Sequence, residues 1–231
     1  MIQRTGEYIE KGDYHKSIDR DWSYYPVYAT KMEYIEKYLK EHGKGKKILD
    51  AGCGEGVLVE KFKSRGFDIV GFDKHYESEF VQKDDILNSN FSDASFDLIL
   101  CLDVLEHLTY FRQEKAVSEI NRILKPGGVF LCTIPNLAHF ASRISFLFLG
   151  NLLHTSDVHR HIGDRPIREY LDIFKNKFTI IKRKGFFPTF LIISLLTVTI
   201  PSKVVWLHRL YNLTVAYPNW CFLNLVVCRK K

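Results

Sequence analysis

Short apolar runs alternate with amphipathic stretches along most of the 231-residue chain, so the hydrophobic period switches repeatedly between that of a strand and that of a helix. Strands are expected at residues 48–50, 67–73, 178–184 and 224–228. In residues 31–42, Met32, Ile35 and Leu39 recur at helical spacing before a stop at Gly43. Leu58 and Phe62 share a helix face that ends at Gly66. Val117, Ile120 and Leu124 do the same before Pro126-Gly127, and Pro166 opens a further helix running to Asn176. Helix following strand implies a doubly wound α/β sheet of parallel strands joined by crossover helices. Ligands of such sheets sit beyond the carboxyl ends of the strands, where Asp50, Asp73, Asp85 and Asp103 fall.

The strand at 48–50 runs into Asp50-Ala51-Gly52-Cys53-Gly54-Glu55-Gly56, with glycine at three alternate positions. Glycine there lets backbone approach a ligand where a Cβ would collide. The dinucleotide fingerprint G-x-G-x-x-G needs glycine where this chain has Val57, and Asp50 repels a phosphate. A nicotinamide-dependent oxidoreductase is disfavoured on both counts. A ligand carrying an ammonium or sulfonium is instead attracted.

This turn resembles the first motif of the class I S-adenosylmethionine-dependent methyltransferases, and four later segments follow in that family's order. Residues 67–73 form a second strand ending in Asp73, which the resemblance makes the ligand of both ribose hydroxyls. Lys83-Asp84-Asp85-Ile86 resembles the adenine loop, with Asp85 for the amine and Ile86 for the ring. Residues 96–108, including Leu102, Asp103 and His107, are similar to the fourth strand and its turn, and Leu124-Lys125-Pro126-Gly127-Gly128 to the turn before the fifth. The resemblance implies a seven-stranded, mostly parallel sheet whose last strand is antiparallel. It also implies S-adenosyl-L-methionine as cofactor, held by Asp50, Gly52, Cys53, Gly54, Asp73, Asp85, Ile86, Leu102, Asp103 and His107. It is close over residues 45–135 and thins on either side.

Composition supports one domain over residues 1–231: 46% of residues are hydrophobic, enough for a sizeable core. Five cysteines lie singly, with no C-x-x-C pair, so neither a zinc site nor a disulfide framework is indicated and a reducing cytoplasm suits them. No metal ligand set is assigned, and no export signal is read at the amino terminus. A net charge of +6 is too modest to argue for nucleic acid.

The flanking segments carry the acceptor reading. Residues 1–42 read as an aromatic loop and short helix, including Tyr8, Tyr14 and Trp22, followed by the helix at 31–42. Residues 137–165 read as a substrate lid whose first part is an apolar helix to Leu149. Within it, residues 154–161 hold three histidines and an acid. His159 or His161 is the expected base for a hydroxyl acceptor, with Asp157 orienting it, because a hydroxyl is too weakly acidic to attack unaided. The apolar insertion at 186–219 is too short and proline-broken to span a membrane. Its mixture of basic and aromatic residues over 186–211 suits packing over the last strands or contact with a membrane surface, and hints at a small or lipid-linked acceptor. The expected activity is O-methylation. The competing expectation is a non-catalytic cofactor-binding module that docks a partner or membrane.

Overall fold

The computed structural model describes residues 16, 18–154, 156 and 158–231. Seven strands form one sheet: β1 (Ile48–Ala51), β2 (Ile69–Asp73), β3 (Val81–Lys83), β4 (Phe96–Leu102), β5 (Leu124–Pro135), β6 (Phe178–Phe186) and β7 (Leu223–Lys230). Their spatial order is β3-β2-β1-β4-β5-β7-β6. The pairings from β3 through β5 are parallel, and β7 runs antiparallel to both β5 and β6. The order reverses between β1 and β4, which opens a crevice at the carboxyl ends of those two strands.

Both faces are covered, because successive side chains of each strand point to opposite sides. In β4, Ile99 and Cys101 join a core with α3 (Tyr110–Ile123) and α5 (Ile167–Lys175). Leu98 and Leu100 point the other way, into a core with α1 (Tyr25–His42) and α2 (Val57–Lys63). All four are essentially inaccessible to solvent, which is why the strand is a continuous apolar run rather than an alternating one. Three further helices lie outside these layers: α4 (Phe140–Leu149) after β5, and α6 (Leu191–Thr199) and α7 (Val205–Thr214) between β6 and β7.

Several expectations need correction. Helix α1 begins at Tyr25 rather than Lys31, because Pro26 in its first turn needs no amide partner there and starts the helix well. Leu124 ends no helix face; it is the first residue of β5 and pairs with Phe96. Strand β6 continues two residues past Lys184 to Phe186. Tyr8 and Tyr14 of the amino-terminal segment lie outside the described residues, as does Asp157.

Candidate functional site

The glycine turn hangs on its neighbouring strand. The amides of Gly52 and Cys53 both donate to the Phe72 carbonyl of β2, at 2.9 and 3.0 Å. Gly52 has φ +75°, and a Cβ there would lie 2.6 Å from a Val104 methyl, so a side chain is excluded both by backbone and by space. The Gly54 amide donates to Asp73 Oδ2 at 2.9 Å, and the His75 amide to Oδ1 at 2.8 Å, which fixes the carboxylate at the end of β2 beside the turn. Asp50 lies deeper and is 3% exposed. Burial, reinforced by the charge of Asp73 and only partly offset by Lys31, pushes its carboxyl up to about 7.

The far side of the crevice is built around Asp103 at the end of β4. Its φ is +55°, an uncommon conformation that short polar residues tolerate. Lys31 Nζ donates to its Oδ2 at 2.5 Å, Thr133 Oγ1 to Oδ1 at 2.5 Å and Tyr24 Oη to Oδ2 at 3.3 Å. Burial would raise this carboxyl, but the ammonium and the two hydroxyl donors together hold it below the ordinary carboxylate range. Lys31 is itself 3% exposed and lies 5.0 Å from the Tyr28 ring centroid. Its position has a sequence signal that went unread: Val27, Lys31, Ile35 and Leu39 form one four-residue-spaced row, all of it buried. A lysine in an apolar row demands an anion opposite it.

In the adenine-type loop, Asp85 Oδ2 accepts from Lys74 Nζ and its Oδ1 from the Leu87 amide, both at 2.9 Å. Against partial burial, those donors lower its carboxyl. Asp84 is spent on the loop itself, accepting from the Asp85 and Asn90 amides.

One cavity of about 770 Å³ joins these parts, a size suited to a ligand of several rings. All ten residues expected to meet the cofactor line it: Asp50, Gly52, Cys53, Gly54, Asp73, Asp85, Ile86, Leu102, Asp103 and His107. The base candidates divide. His161 lines the cavity, whereas His159 is exposed and outside the lining. Asp157, its expected partner, lies outside the described residues. Asp164, buried, has its Oδ1 3.3 Å from His161 Nδ1.

His107 stands edge-to-face with His161, ring centroids 4.8 Å apart. Its Nδ1 is 2.9 Å from the Arg160 carbonyl, which can only accept, so that nitrogen carries the proton and Nε2 carries the lone pair. Burial, aided by the charges of His161 and Arg160, lowers its pKa. Glu106 completes the group: carboxylate and ring nitrogens of Glu106, His107 and His161 lie within 4.8 Å of one another. Glu106 is 1% exposed, its Oε2 has no hydrogen-bond partner among the described residues, and burial beside Asp103 raises its pKa well above the usual range.

The expected lid is partly misplaced. From residues 137–165 the cavity is lined by Ser156, Arg160 and His161, and none of α4 contributes. Helix α4 is held aside, its Ala141 amide donating to Thr189 Oγ1 at 2.9 Å and Phe140 meeting Phe190 edge-to-face with ring centroids 4.9 Å apart. Covering residues come from Tyr24, Tyr28 and Met32 near the start of α1, and from Thr197 and Val198 at the end of α6.

The parallel sheet, glycine turn and acidic strand ends define a class I methyltransferase fold. A model of the methyltransferase domain family matches residues 22–175, and the chain belongs to that family. It is 32% identical over 120 residues to a probable S-adenosylmethionine-dependent methyltransferase of Mycolicibacterium smegmatis, covering 47% of this chain and 46% of that one. It is 29% identical over 139 residues to the ubiquinone biosynthesis O-methyltransferase of Chromobacterium violaceum, covering 52% and 58%. The matched stretch thus spans about half the length of these curated relatives. A solved S-adenosylmethionine-dependent methyltransferase from Archaeoglobus fulgidus shares the fold, with a TM-score of 0.61 at 17% identity over 97% of this chain and all of that one.

S-adenosylmethionine is the cofactor of this class, and the cavity fits it. The carboxyl of Asp50 is buried and raised beside the cavity, the Asp73 carboxylate is fixed beside a turn that excludes side chains, and apolar Ile86 and Leu102 line the space between.

Proposed function

We propose that the protein transfers the methyl group of S-adenosylmethionine to a hydroxyl of a small or amphiphilic acceptor. The observation that carries this reading is the convergence of Asp50, Asp73, the glycine turn and the His107–His161 pair on one cavity. Asp73 accepts the two ribose hydroxyls through lone pairs left beside its amide donors. Asp50 takes the cofactor's ammonium, and Asp85 and Ile86 take the adenine amine and ring. The Lys31–Asp103–Tyr24 cluster forms the wall between cofactor and acceptor. The cofactor supplies an electrophilic methyl, and the chain supplies in-line positioning in a cavity closed by α1 and α6.

A hydroxyl acceptor needs its proton removed. His161 is the base, its Nδ1 3.3 Å from Asp164 Oδ1 and its ring edge-to-face with His107. The O-methyltransferase named above is 29% identical to this chain and supports an oxygen acceptor.

Calorimetry with S-adenosylmethionine tests the cofactor half: micromolar binding is expected, with a loss of roughly tenfold to a hundredfold in Asp73→Ala, about 1.4 kcal/mol per tenfold. Absence of binding by the unmodified protein overturns it. His161→Gln tests the chemistry. Transfer is expected to slow by about a hundredfold or more with cofactor affinity kept. Full activity in the variant removes His161 from the mechanism. Loss of activity on chelation, restored by a divalent cation, assigns the Glu106–His107–His161 group to a metal instead of a proton.

A further inference from the structure

The apolar residues of the insertion are turned outward. Helix α6 exposes Leu191, Ile192, Leu195 and Val198, each between 65 and 77% accessible. From Gly185 to Ser202 there is no charged residue. Helix α7 packs beneath α6 through Thr197 Oγ1 and His208 Nε2, 2.8 Å apart, and presents Trp206 at 63% and Leu213 at 79% exposure. Tyr217 and Trp220 follow, both exposed. The adjoining α4 adds Phe146, Leu147, Phe148 and Leu149, all more than half exposed. Patches of this kind on a folded chain mark an interaction surface rather than ordinary scatter.

Charge selects the occupant. Residues 173–231 hold ten lysines and arginines and no aspartate or glutamate, so the other 23 basic and all 27 acidic residues lie in 1–172. Lys203, between α6 and α7, is exposed and makes no ion pair among the described residues. Arg143 on α4 donates only to the carbonyls of Ala138 and Asn219. Within the insertion the cations are Lys203 and Arg209, and Arg209 pairs with Glu33 of α1, so a two-fold, self-complementary contact of this face would set the exposed Lys203 and Arg143 against their own copies. An anionic bilayer answers both features: headgroups meet the cations, acyl chains the leucines, and Trp and Tyr the boundary between.

We infer that the α4–α6–α7 face docks on an anionic lipid bilayer and that the acceptor is an amphiphile drawn from it along α6. The nine residues of α6 rise about 14 Å, less than half of a hydrocarbon core of about 30 Å, so the helix lies in the interface. Its Val198 is both exposed and part of the cavity lining, which places the apolar face at the cavity mouth. An apolar tail can stay among the leucines while its polar head reaches His161. Delivery rests on the methyltransferase reading; docking does not.

Flotation with vesicles is therefore scored on the full chain without cofactor. Vesicles of phosphatidylcholine alone are compared with vesicles holding about 30% phosphatidylglycerol. Binding to the anionic vesicles is expected to exceed binding to neutral ones at least tenfold, to weaken with salt, and to shift the Trp206 and Trp220 emission to the blue. Ile192→Asp with Leu195→Asp should remove it, and Lys203→Glu should weaken it severalfold, both with S-adenosylmethionine affinity unchanged by calorimetry. No binding to anionic vesicles overturns the docking, as does a dimer in light scattering that the Asp variant dissolves. Equal binding to neutral vesicles overturns the role of the cations. Loss of cofactor binding in the unmodified protein overturns the function reading and leaves the docking result standing.

Discussion

Around the cavity floor, Asp103 and Asp73 each meet two or more named donors and Lys31 is buried against its anion, whereas the α6–α7 insertion at the rim carries no acid and turns leucines into solvent. The floor is sequestered polarity held by internal partners; the rim is exposed apolarity waiting for an external one. A polar group buried without its partner costs several kcal/mol, so the floor tolerates little change. An exposed leucine already pays its hydration cost in the free protein, so the rim can vary without unfolding the chain.

The largest expected effect comes from breaking the floor at Lys31. In Lys31→Met, Asp103 stays half-buried at its φ of +55° but loses the ammonium that lowers its pKa. Removal of one partner from such a pair costs about 3 kcal/mol, and melting should fall by roughly 6–12 °C in a chain of this size. The sign with pH follows. A depressed folded pKa gives stability above the unfolded value that is lost as pH falls through the folded one, so wild type loses this contribution in acid. The variant should show a flatter acid limb in calorimetric melts, and an unchanged melting temperature would mean that the ion pair contributes nothing.

Asp50 sharpens the contrast in the opposite direction. Its carboxyl sits at about 7 in the ligand-free fold, and burial is the main cause. A raised folded pKa means that the folded state binds the extra proton between the unfolded value of about 3.9 and about 7, so this group lowers stability as pH climbs through that window. Asp50→Asn should therefore melt higher than wild type near pH 8. It should also bind S-adenosylmethionine more weakly by about tenfold, because the ammonium loses its counter-charge. Around pH 6.5, calorimetry in buffers of different ionisation enthalpy should show wild type releasing a proton on binding, and the Asn variant releasing none. A higher melting point without weaker binding would place the ammonium elsewhere.

How much of this was legible in the sequence follows the same division. Strand ends, glycine turn and the ten cavity-lining residues are readable because β1, β2 and β4 set them locally, one after another, at fixed distances from a turn. His161 was readable as a histidine beside a cavity, but its partner was not: Asp164 reaches it across three residues of loop, where spacing has no period to follow. His159 was equally plausible on spacing and proves exposed. Lys31 needed an anion, and only the fold could name Asp103, 72 residues away. The α4 lid failed because apolarity says that a helix will be covered and not by what; Thr189 and Phe190 hold it beside the cavity. The absence of acids after Asp172 was in plain view and acquires meaning only beside the exposed leucines.

The smallest expected effect is at the rim, and it discriminates best between the two regions. Leu195 is 65% exposed on α6. Gln at this position keeps helix propensity and removes an apolar side chain that the isolated protein does not bury, so stability should change by less than about 0.5 kcal/mol and melting by no more than about 2 °C. A loss comparable to that of Lys31→Met would show that Leu195 is already covered in the free protein, by a second copy or by residues outside the described set. A melting temperature held within that margin means that α6 keeps its leucines for something the chain does not contain.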